Sequence, residues 1–446
     1  MIGLKQLALH EIGEVIRKVR KDRGLRLEDL ADENISPATV SNIERGVAHV
    51  SPEKISYLLE KLNLPMRKLP EMLMREQEKL KKVKFELLSI ATLRRIGLID
   101  EALKRLDALN LDENHPFIAQ AYYYKGECYM SKKKWKQAER TLYNALRISQ
   151  QNPYKESNME AASYLLLGLI RYNQNDIEQA LEITNNGIEA FNDSGDNQHI
   201  KYLLYRNKGV YLQRMGRITE GMRLIQDIWD MIPNIDDIGT LLGFYWLRAE
   251  FSRLSGLLDE AIDYATEGIE ISRHNKQYDS MCDLWTVLGS VYTAKKEWEM
   301  AETSFKMALK LEGKFPPDQR LTTVYTRLGI LYIKQGRNEE ASQTLKTAIK
   351  LAEKFNDAPR LSTSLIILGD LCLMCNQRDE AILTYKKALE ISQKHKYQDK
   401  EFKIWFSLAR CYDGYDKEEF QNCMRNMYNV KKGFNRWEVE DYENNI

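Results

Sequence analysis

The stretch that decides the fold is Tyr325–Ile349, "YTRLGILYIKQGRNEEASQTLKTAI", because its pattern of small and large residues recurs along most of the chain. Trp285–Leu309, "WTVLGSVYTAKKEWEMAETSFKMAL", and Leu365–Leu389, "LIILGDLCLMCNQRDEAILTYKKAL", repeat it at a spacing of 40 residues, since 285, 325 and 365 are equally spaced. Each copy carries Gly early and Ala twelve residues later. A fixed spacing of this kind predicts one small structural unit stacked on copies of itself.

Seven clear copies share the two small positions. Two antiparallel helices cross closely where both carry small side chains, and large residues such as Phe305 and Tyr385 fill the space beside the crossing. We therefore predict an all-α chain of helical hairpins without strands. The early position holds Gly126, Gly168, Gly209, Ala249, Gly289, Gly329 and Gly369, and the later one holds Ala138, Ala180, Gly221, Ala261, Ala301, Ala341 and Ala381.

This order of small and aromatic residues resembles the tetratricopeptide repeat. The usual unit has about 34 residues, so the longer spacing here predicts a lengthened second helix. HEAT repeats have a closer period, but they lack the same order of Gly, Tyr, Ala and Phe. Counting one degenerate copy at each end, we predict a right-handed superhelix of about nine units over residues 86–430, followed by a tail over 431–446.

The N-terminal segment has a different pattern. Its key stretch is Ser36–Gly46, "SPATVSNIERG", which starts with a helix-initiating Ser-Pro and ends with a helix-stopping Gly. The apolar spacing around it predicts three more short helices, including one over "LRLEDLADEN" (Leu25–Asn34). Helices this short must share one core. We predict a four-helix domain over residues 1–65 and a helical linker over 66–85.

The segment "GLRLEDLADENISPATVSNIERG" resembles the helix-turn-helix of the phage-repressor class. That resemblance implies that the helix of "SPATVSNIERG" enters the DNA major groove, where Asn42 suits an adenine edge. The alternative is a domain that mediates only protein contacts. Residues 1–65 hold ten basic and ten acidic side chains, so we expect a homodimer on a paired site to reach useful affinity. The implied DNA-binding residues are Arg26, Ser36, Pro37, Ala38, Thr39, Ser41, Asn42 and Arg45.

The first helix of each tetratricopeptide unit lines the concave face of the superhelix, and such grooves commonly take peptides. Side chains at fixed offsets from the early small residue are expected to point into this groove. Their mixture of amides, aromatics and both charges suits a short extended peptide, and the alternative is a solvated face without a ligand. The candidates are Tyr123, Glu127, Tyr172, Asn173, Arg206, Asn207, Gln213, Arg214, Trp246, Glu250, Arg253, Asp283, Thr286 and Ser290.

The chain as a whole resembles the Rap/Rgg/NprR/PlcR/PrgX group of peptide-sensing regulators. In that group an asparagine two residues before the Gly bonds the backbone of a bound peptide, and Asn207 in "YRNKG" is the match here. The resemblance implies a cytoplasmic, quorum-sensing transcription regulator that binds double-stranded DNA and a short signalling peptide. The alternative is a scaffold that sequesters a phosphorelay protein or another protein partner through its repeats.

Composition narrows the remaining classes of function. The formal charge is +1, so any DNA binding must come from local charge. No apolar run reaches the length of a membrane span, and six scattered cysteines fit a reducing compartment. "CLMC", Cys372–Cys375, has metal-ligand spacing, but no His cluster completes a site. We expect no enzyme activity, no metal and no cofactor.

Overall fold

The computed structural model describes residues 9–46, 50–65, 68–113, 115–151, 157–316 and 319–443. Throughout these ranges the regular structure is helical and contains no strand, which confirms the predicted all-α class. The chain divides into two compact units, Met1–Lys132 and Lys133–Ile446. The outer ends of the first predicted domain and of the predicted tail, and two residues of the predicted linker, lie outside the described ranges.

The N-terminal unit begins with a small bundle whose core comes from short helices, as the apolar spacing predicts. Ile12, Ile16, Val40, Ile43 and Leu58 are all buried in this core. The helices of the unit are α1 (Leu9–Asp22), α2 (Pro37–Glu44), α3 (Pro52–Lys61), α4 (Leu69–Arg95), α5 (Ile99–Ala108) and α6 (Ile118–Ser131).

The predicted helix over Leu25–Asn34 is wrong in its extent, because only a single 3₁₀ turn forms, over Glu28–Leu30. Acidic side chains bond the backbone locally and compete with helical hydrogen bonds. The backbone N–H of Arg26 donates to Asp29 Oδ2 at 2.7 Å, and the N–H groups of Asn34 and Ile35 donate to Asp32 Oδ1 at 2.9 and 3.1 Å. Burial of Leu30 nevertheless keeps the segment on the bundle.

Helix α4 runs without a break from Leu69 to Arg95, so one helix covers most of the predicted linker and continues past residue 85. The chain turns away from the helix at Gly97, whose φ of +86° favours glycine. Leu87 and Ile90 of this helix pack on Ala102 of α5 in a second small core. The boundaries proposed at 65, 85 and 430 stay predictions.

The C-terminal unit consists of antiparallel helical hairpins in which consecutive helices pack on one another, from α8 with α9 to α20 with α21. A 3₁₀ segment, Trp229–Asn234, extends the second helix of one hairpin. The helices are α7 (Trp135–Gln151), α8 (Met159–Asn173), α9 (Ile177–Glu189), α10 (His199–Met215), α11 (Ile218–Ile228), α12 (Ile238–Leu254), α13 (Leu258–His274), α14 (Tyr278–Lys295), α15 (Trp298–Lys310), α16 (Arg320–Lys334), α17 (Asn338–Lys354), α18 (Ala358–Met374), α19 (Arg378–Lys394), α20 (Gln398–Tyr412) and α21 (Lys417–Glu443).

Gly168, Gly289, Gly329 and Gly369 lie where the two helices of a hairpin approach closely, whereas Gly209 faces Leu247 of the next hairpin. A Cβ added to Gly289 would come within 2.7 Å of the Phe305 ring, and one added to Gly369 within 2.6 Å of the Tyr385 ring. Both distances are too short for carbon atoms in contact. The large residue sixteen positions later on the second helix therefore occupies the space that the glycine leaves, which accounts for the fixed spacing in the sequence.

Candidate functional site

Helix α2 presents a polar face to solvent and an apolar face to the bundle. Pro37 and Ala38 are exposed, Asn42 is half-buried, and Val40 and Ile43 are buried. Ser36 starts the helix, because its Oγ accepts from the Thr39 backbone N–H at 3.2 Å. The predicted DNA-binding residues on this face are Ser36, Pro37, Ala38, Thr39, Ser41, Asn42 and Arg45, whereas Arg26 is exposed in the turn before the 3₁₀ segment.

A buried ion pair fixes α2 against α1. Arg20 Nε lies 2.5 Å from Glu44 Oε1, and its Nη2 donates to Glu44 Oε2 at 2.9 Å. The hydrogen bond to Glu44 raises the pKa of Arg20 above its usual value. At Gly13 the two helices come so close that an added Cβ would lie 2.4 Å from the carbonyl oxygen of Ile43. The polar face of α2 is therefore held in one orientation on the bundle.

Two of the predicted contact residues on α2 are joined to each other. The Arg45 guanidinium donates to Asn42 Oδ1 and, at 3.4 Å, to the Ser41 carbonyl oxygen. Arg45 is exposed, so this contact sets the direction of Asn42 on the outer surface of the helix. Binding of DNA by these residues stays a prediction.

The concave face of the repeats is identified by an ion pair between two helical hairpins that are not adjacent in the stack. The Arg327 guanidinium on α16 pairs with the Glu250 carboxylate on α12, and its Nη1 donates to Ser290 Oγ on the intervening α14 at 3.2 Å. Side chains two units apart meet on the inside of a curved stack, because there the helices converge. The first helices of the hairpins therefore line this face, as expected from their sequence.

Glu250 is the centre of this inner network and is fully buried. Arg253 donates to both of its oxygens at 2.9 Å, and Gln213 Nε2 donates to it at 3.4 Å. Burial alone would raise the pKa of Glu250, but the charges of Arg327 and Arg253 outweigh burial and lower the pKa to about 2. Three predicted groove residues, Gln213, Glu250 and Arg253, are thus brought together.

Three further ion pairs continue the inner face. Arg320 Nε on α16 lies 2.8 Å from Asp283 Oδ2 on α14, and Arg320 Nη2 lies 3.2 Å from Asp279. On α18, Arg360 pairs with Asp357, and its Nε donates to Thr323 Oγ1 at 2.7 Å. Asp283, a predicted groove residue, therefore already has a cationic partner.

Asn207 on α10 is 4% exposed, and its Nδ2 has no hydrogen-bond partner among the described residues. The side chain beside it, Arg206, donates to Asn207 Oδ1 at a long 3.4 Å. No carboxylate in the described part of the chain lies within ion-pair distance of Arg206, and burial lowers its pKa. An unsatisfied buried amide next to an unpaired guanidinium is costly in isolation.

The other predicted groove residues have mixed surroundings. Tyr172 stacks on Tyr211 with ring centroids 5.3 Å apart, whereas Asn173 is exposed and donates to its own helix at Leu169. Trp246 is half-buried between two apolar clusters.

Two of the predicted groove residues belong to the N-terminal unit, whereas the rest belong to the C-terminal unit. There Tyr123 is 9% exposed, and Glu127 pairs with Arg94. The structure therefore places both in other contacts within their own unit, and their part in a peptide site stays a prediction.

The sequence-based selection missed a row of cations on the inner face. Arg320, Arg360 and Lys400 stand nine residues before Gly329, Gly369 and Ala409, so they occupy one position in three consecutive repeats. Extending the repeat alignment to the position nine before the small residue would have found them. Lys400 lies on α20, and its Nζ donates to the Pro359 carbonyl oxygen.

The described residues give little support for metal binding, thiol chemistry or a membrane span. These contain no group of three His, Cys, Asp or Glu side chains arranged to hold a metal ion. Burial raises the pKa of the Cys372 thiol to about 11, which disfavours the thiolate needed for metal binding or redox chemistry. Among the described helices, none combines the length and the apolar character needed to cross a bilayer.

Comparison with known protein families identifies both parts of the chain. Residues 16–69 match the helix-turn-helix family, and residues 117–193 and 320–394 match the tetratricopeptide repeat family. No curated protein matches the chain in sequence. The chain therefore combines a helix-turn-helix segment with tetratricopeptide repeats, as the sequence analysis expected.

Solved structures with a similar fold include a Rap protein complexed with competence and sporulation factor, at 15% identity and a TM-score of 0.57, covering 80% of this chain and 99% of the Rap chain. The apo form of RapI has a TM-score of 0.50 at 13% identity, covering 79% and 98%. NprR in complex with its cognate peptide NprX has a TM-score of 0.49 at 15% identity, covering 69% and 88%. The resemblance to peptide-sensing regulators is confirmed at the level of domain content and fold.

Proposed function

We propose that this protein is a cytoplasmic, peptide-responsive transcription regulator. It binds double-stranded DNA as a homodimer through α2, and it binds a short peptide on the concave face of the repeats. The observation that carries the proposal is Asn207, whose buried Nδ2 has no partner on the inner face of a tetratricopeptide stack. A peptide carbonyl oxygen supplies the missing acceptor, and the side-chain oxygen can accept a peptide N–H.

The DNA part of the proposal rests on the outer face of α2. Its N-terminal half is exposed, its buried side is clamped by Arg20 and Glu44, and Asn42 and Arg45 project together. This arrangement suits insertion into a major groove with the first helical residues at base edges. Because residues 1–65 carry no excess of basic side chains, two copies on paired half-sites provide the affinity that one copy lacks.

The DNA proposal is tested by selecting bound duplexes from a random pool with the full chain, followed by gel shifts on the enriched sequence. Asn42→Ala should weaken binding by about 1–3 kcal/mol, the range typical of a base contact. Arg45→Ala should also weaken binding, because it removes a contact to phosphate. Arg75→Ala is the matched control, since Arg75 is exposed on α4 and pairs only with Glu71 among the described residues. Unchanged binding by both α2 variants would remove this helix from the interface.

The peptide proposal is tested at Asn207, with Asn186 as a matched control. Asn186 is exposed on α9, the second helix of its hairpin, and is not one of the predicted groove residues. Asn207→Ala should abolish retention of short peptides in an affinity selection with the full chain, whereas Asn186→Ala should retain them. Equal retention by the two variants would show that Asn207 takes no part in binding.

Coupling between the two activities follows from the long-range pair of the inner face. Glu250 and Arg327 lie two hairpins apart, so any change in curvature of the stack alters their separation. A peptide that binds one curvature more tightly shifts the population toward it, and only this difference in affinity can drive the change. Comparing small-angle scattering and promoter occupancy with and without a selected peptide tests the coupling, and identical results would refute it.

A second function is favoured by the similarity to Rap over 99% of the Rap chain. In this alternative the repeats bind and sequester a protein partner, and the peptide releases it. Capture of one protein from native lysate that is displaced by the selected peptide, together with failure to enrich any DNA, would favour the scaffold over the regulator.

A further inference from the structure

A cavity of about 560 Å³ opens in the C-terminal unit where the α8–α9 turn faces the α19–α20 turn. The α8–α9 turn touches two later turns: Asn175 Nδ2 donates to the carbonyl oxygen of Asn356, in the α17–α18 turn, at 3.0 Å, and Tyr397 Oη, in the α19–α20 turn, donates to the Asn175 carbonyl oxygen at 3.2 Å. These contacts join residues 181 and 222 positions apart, so the curved stack closes on itself here.

Charge in the cavity is distributed unevenly with depth. Its exposed lining residues carry both signs of charge, such as Asp176, Asp399 and Lys396. Two cations, Arg214 and Lys400, line it from half-buried positions. The half-buried charged residues of the lining are therefore both cationic, and water screens their charges less than those at the rim.

The two inner cations have no acidic partner within ion-pair distance in the described ranges. The Arg214 guanidinium contacts the Tyr172 ring, with its carbon 5.9 Å from the ring centroid, and Lys400 donates to the Pro359 carbonyl oxygen. The neighbouring Asp357 is held by Arg360. Burial and the charge of Arg214 lower the pKa of Lys400 to about 7. Half-buried cations without an acidic partner are unfavourable unless an anion completes the site.

We infer that Arg214 and Lys400 form a receptor for a carboxylate of the bound peptide. The inference rests on the proposed peptide function and specifies the chemistry of its ligand. Asn207 and Arg214 are seven residues apart on α10, which is about 10 Å along the helix axis at 1.5 Å per residue. An extended peptide covers that distance in about three residues. The carboxylate therefore lies about three residues beyond the one that Asn207 holds.

The experiment is an affinity selection with the full chain and a pooled hexapeptide library, analysed by mass spectrometry. The library is made as free acids and as C-terminal amides, and half of each set lacks Asp and Glu. The parent should retain peptides with at least one carboxylate about tenfold or more over those with none, as expected for a charge-assisted hydrogen bond. Preference for the free acid assigns the carboxylate to the C-terminus, and preference for Asp or Glu assigns it to a side chain.

Two variants test whether Arg214 and Lys400 hold the carboxylate, and two further variants serve as controls. In Arg214→Gln and Lys400→Met the preference for carboxylates should disappear, while peptides continue to be retained. Arg223→Gln and Lys310→Gln remove exposed charges from second helices of the hairpins and should keep the full preference. Thermal melts of the free proteins check folding: because each main variant removes one of two neighbouring unpaired cations, it should melt at or above the parent temperature.

The outcomes separate this inference from the proposed function. Retention of carboxylate-free peptides as strongly as carboxylate-bearing ones by the parent would overturn the receptor and leave peptide binding intact. Failure of the parent protein to retain any peptide would instead overturn the proposed function. A full preference that survives in both Arg214→Gln and Lys400→Met would show that the carboxylate is held elsewhere.

Discussion

The helix-turn-helix bundle and the repeat stack each contain a buried carboxylate held by arginine, but the two pairs hold different kinds of structure together. Glu44, 5% exposed, pairs with Arg20 from a neighbouring helix of the same small bundle. Glu250, 0% exposed, is shared between Arg253 on its own helix and Arg327, which is 77 residues away and two hairpins further along the stack.

The difference lies in what each pair constrains. In the bundle, one carboxylate matches one guanidinium, and the pair fixes α2 in a single orientation. In the stack, one carboxylate serves two guanidinium groups and spans several hairpins, so its geometry depends on the curvature. A repeat unit contacts mainly its neighbours and deforms readily, whereas a bundle with one core does not. The ion pair in the bundle keeps the exposed face of α2 rigid. The ion pair in the stack makes the geometry of the inner face depend on curvature.

The largest change in stability is expected when the shared ion pair of Glu250 in the stack is broken. Glu250→Gln leaves two guanidinium groups without their common carboxylate, so it should lower the free energy of unfolding of the repeats by about 3–5 kcal/mol. Urea unfolding followed by circular dichroism measures the change. Glu299→Gln is the matched control, since Glu299 is exposed on α15 and should shift stability by less than about 0.5 kcal/mol. Equal shifts for the two variants would contradict the central role of Glu250.

The lowered pKa of the same carboxylate predicts that the stability of the repeats depends on pH. The pKa of Glu250 in the folded protein, about 2, lies below the usual 4.5, so the folded state binds fewer protons than the unfolded state. Its stabilisation is complete above about pH 5 and is lost as the pH falls toward about 2. The stability difference between the parent and Glu250→Gln should therefore shrink steadily over that range. A constant difference would mean that the pKa of Glu250 is the same in the folded and unfolded states.

A smaller effect should be confined to the bundle. Gly13→Ala places a Cβ 2.4 Å from the Ile43 carbonyl oxygen, so α1 and α2 must separate, at a cost of about 1–3 kcal/mol. Hydrogen exchange should accelerate in α2 and remain unchanged in α16. Gly239→Ala is the control, because the nearest atom to its added Cβ is 3.5 Å away. Accelerated exchange in both regions would show that the bundle and the stack unfold together.

The smallest predicted effect concerns the start of α2. Ser36→Ala removes the hydrogen bond from the Thr39 backbone N–H and should destabilise the bundle by about 1 kcal/mol. Ser51 occupies the same position before α3 but makes no capping hydrogen bond with its side chain. Ser51→Ala should therefore cost clearly less in the same thermal melt. The reverse order would show that capping does not set the stability of α2.

Local and periodic features of the chain were predictable from the sequence. The spacing of Gly289 and Ala301 predicts a helical hairpin, because two helices cross closely where both carry small side chains and Phe305 fills the space beside the crossing. The Ser-Pro start and the Val40 and Ile43 spacing predict α2 and its buried face. The segment around Glu28–Leu30 was harder, since acidic side chains competed with the helix for backbone hydrogen bonds.

The inner face was only partly predictable. Offsets from the small residues placed Asn207, Gln213, Glu250 and Arg253 on it, because each offset depends on a single helix. They could not reveal that Glu250 meets Arg327, or that Asn175 meets Tyr397, since those contacts depend on the curvature of the whole stack.

The sequence by itself determined the type of helix, the hairpin unit, the order of units and the resemblance to helix-turn-helix and tetratricopeptide families. Those features arise from interactions between residues close in the chain, which a repeating pattern records. The tertiary structure alone decided which charges are paired and which, like those of Arg206, Arg214 and Lys400, have no acidic partner within ion-pair distance among the described residues. Pairing depends on how far each hairpin rotates on the last, and small rotations add up over many units to bring distant side chains together or keep them apart.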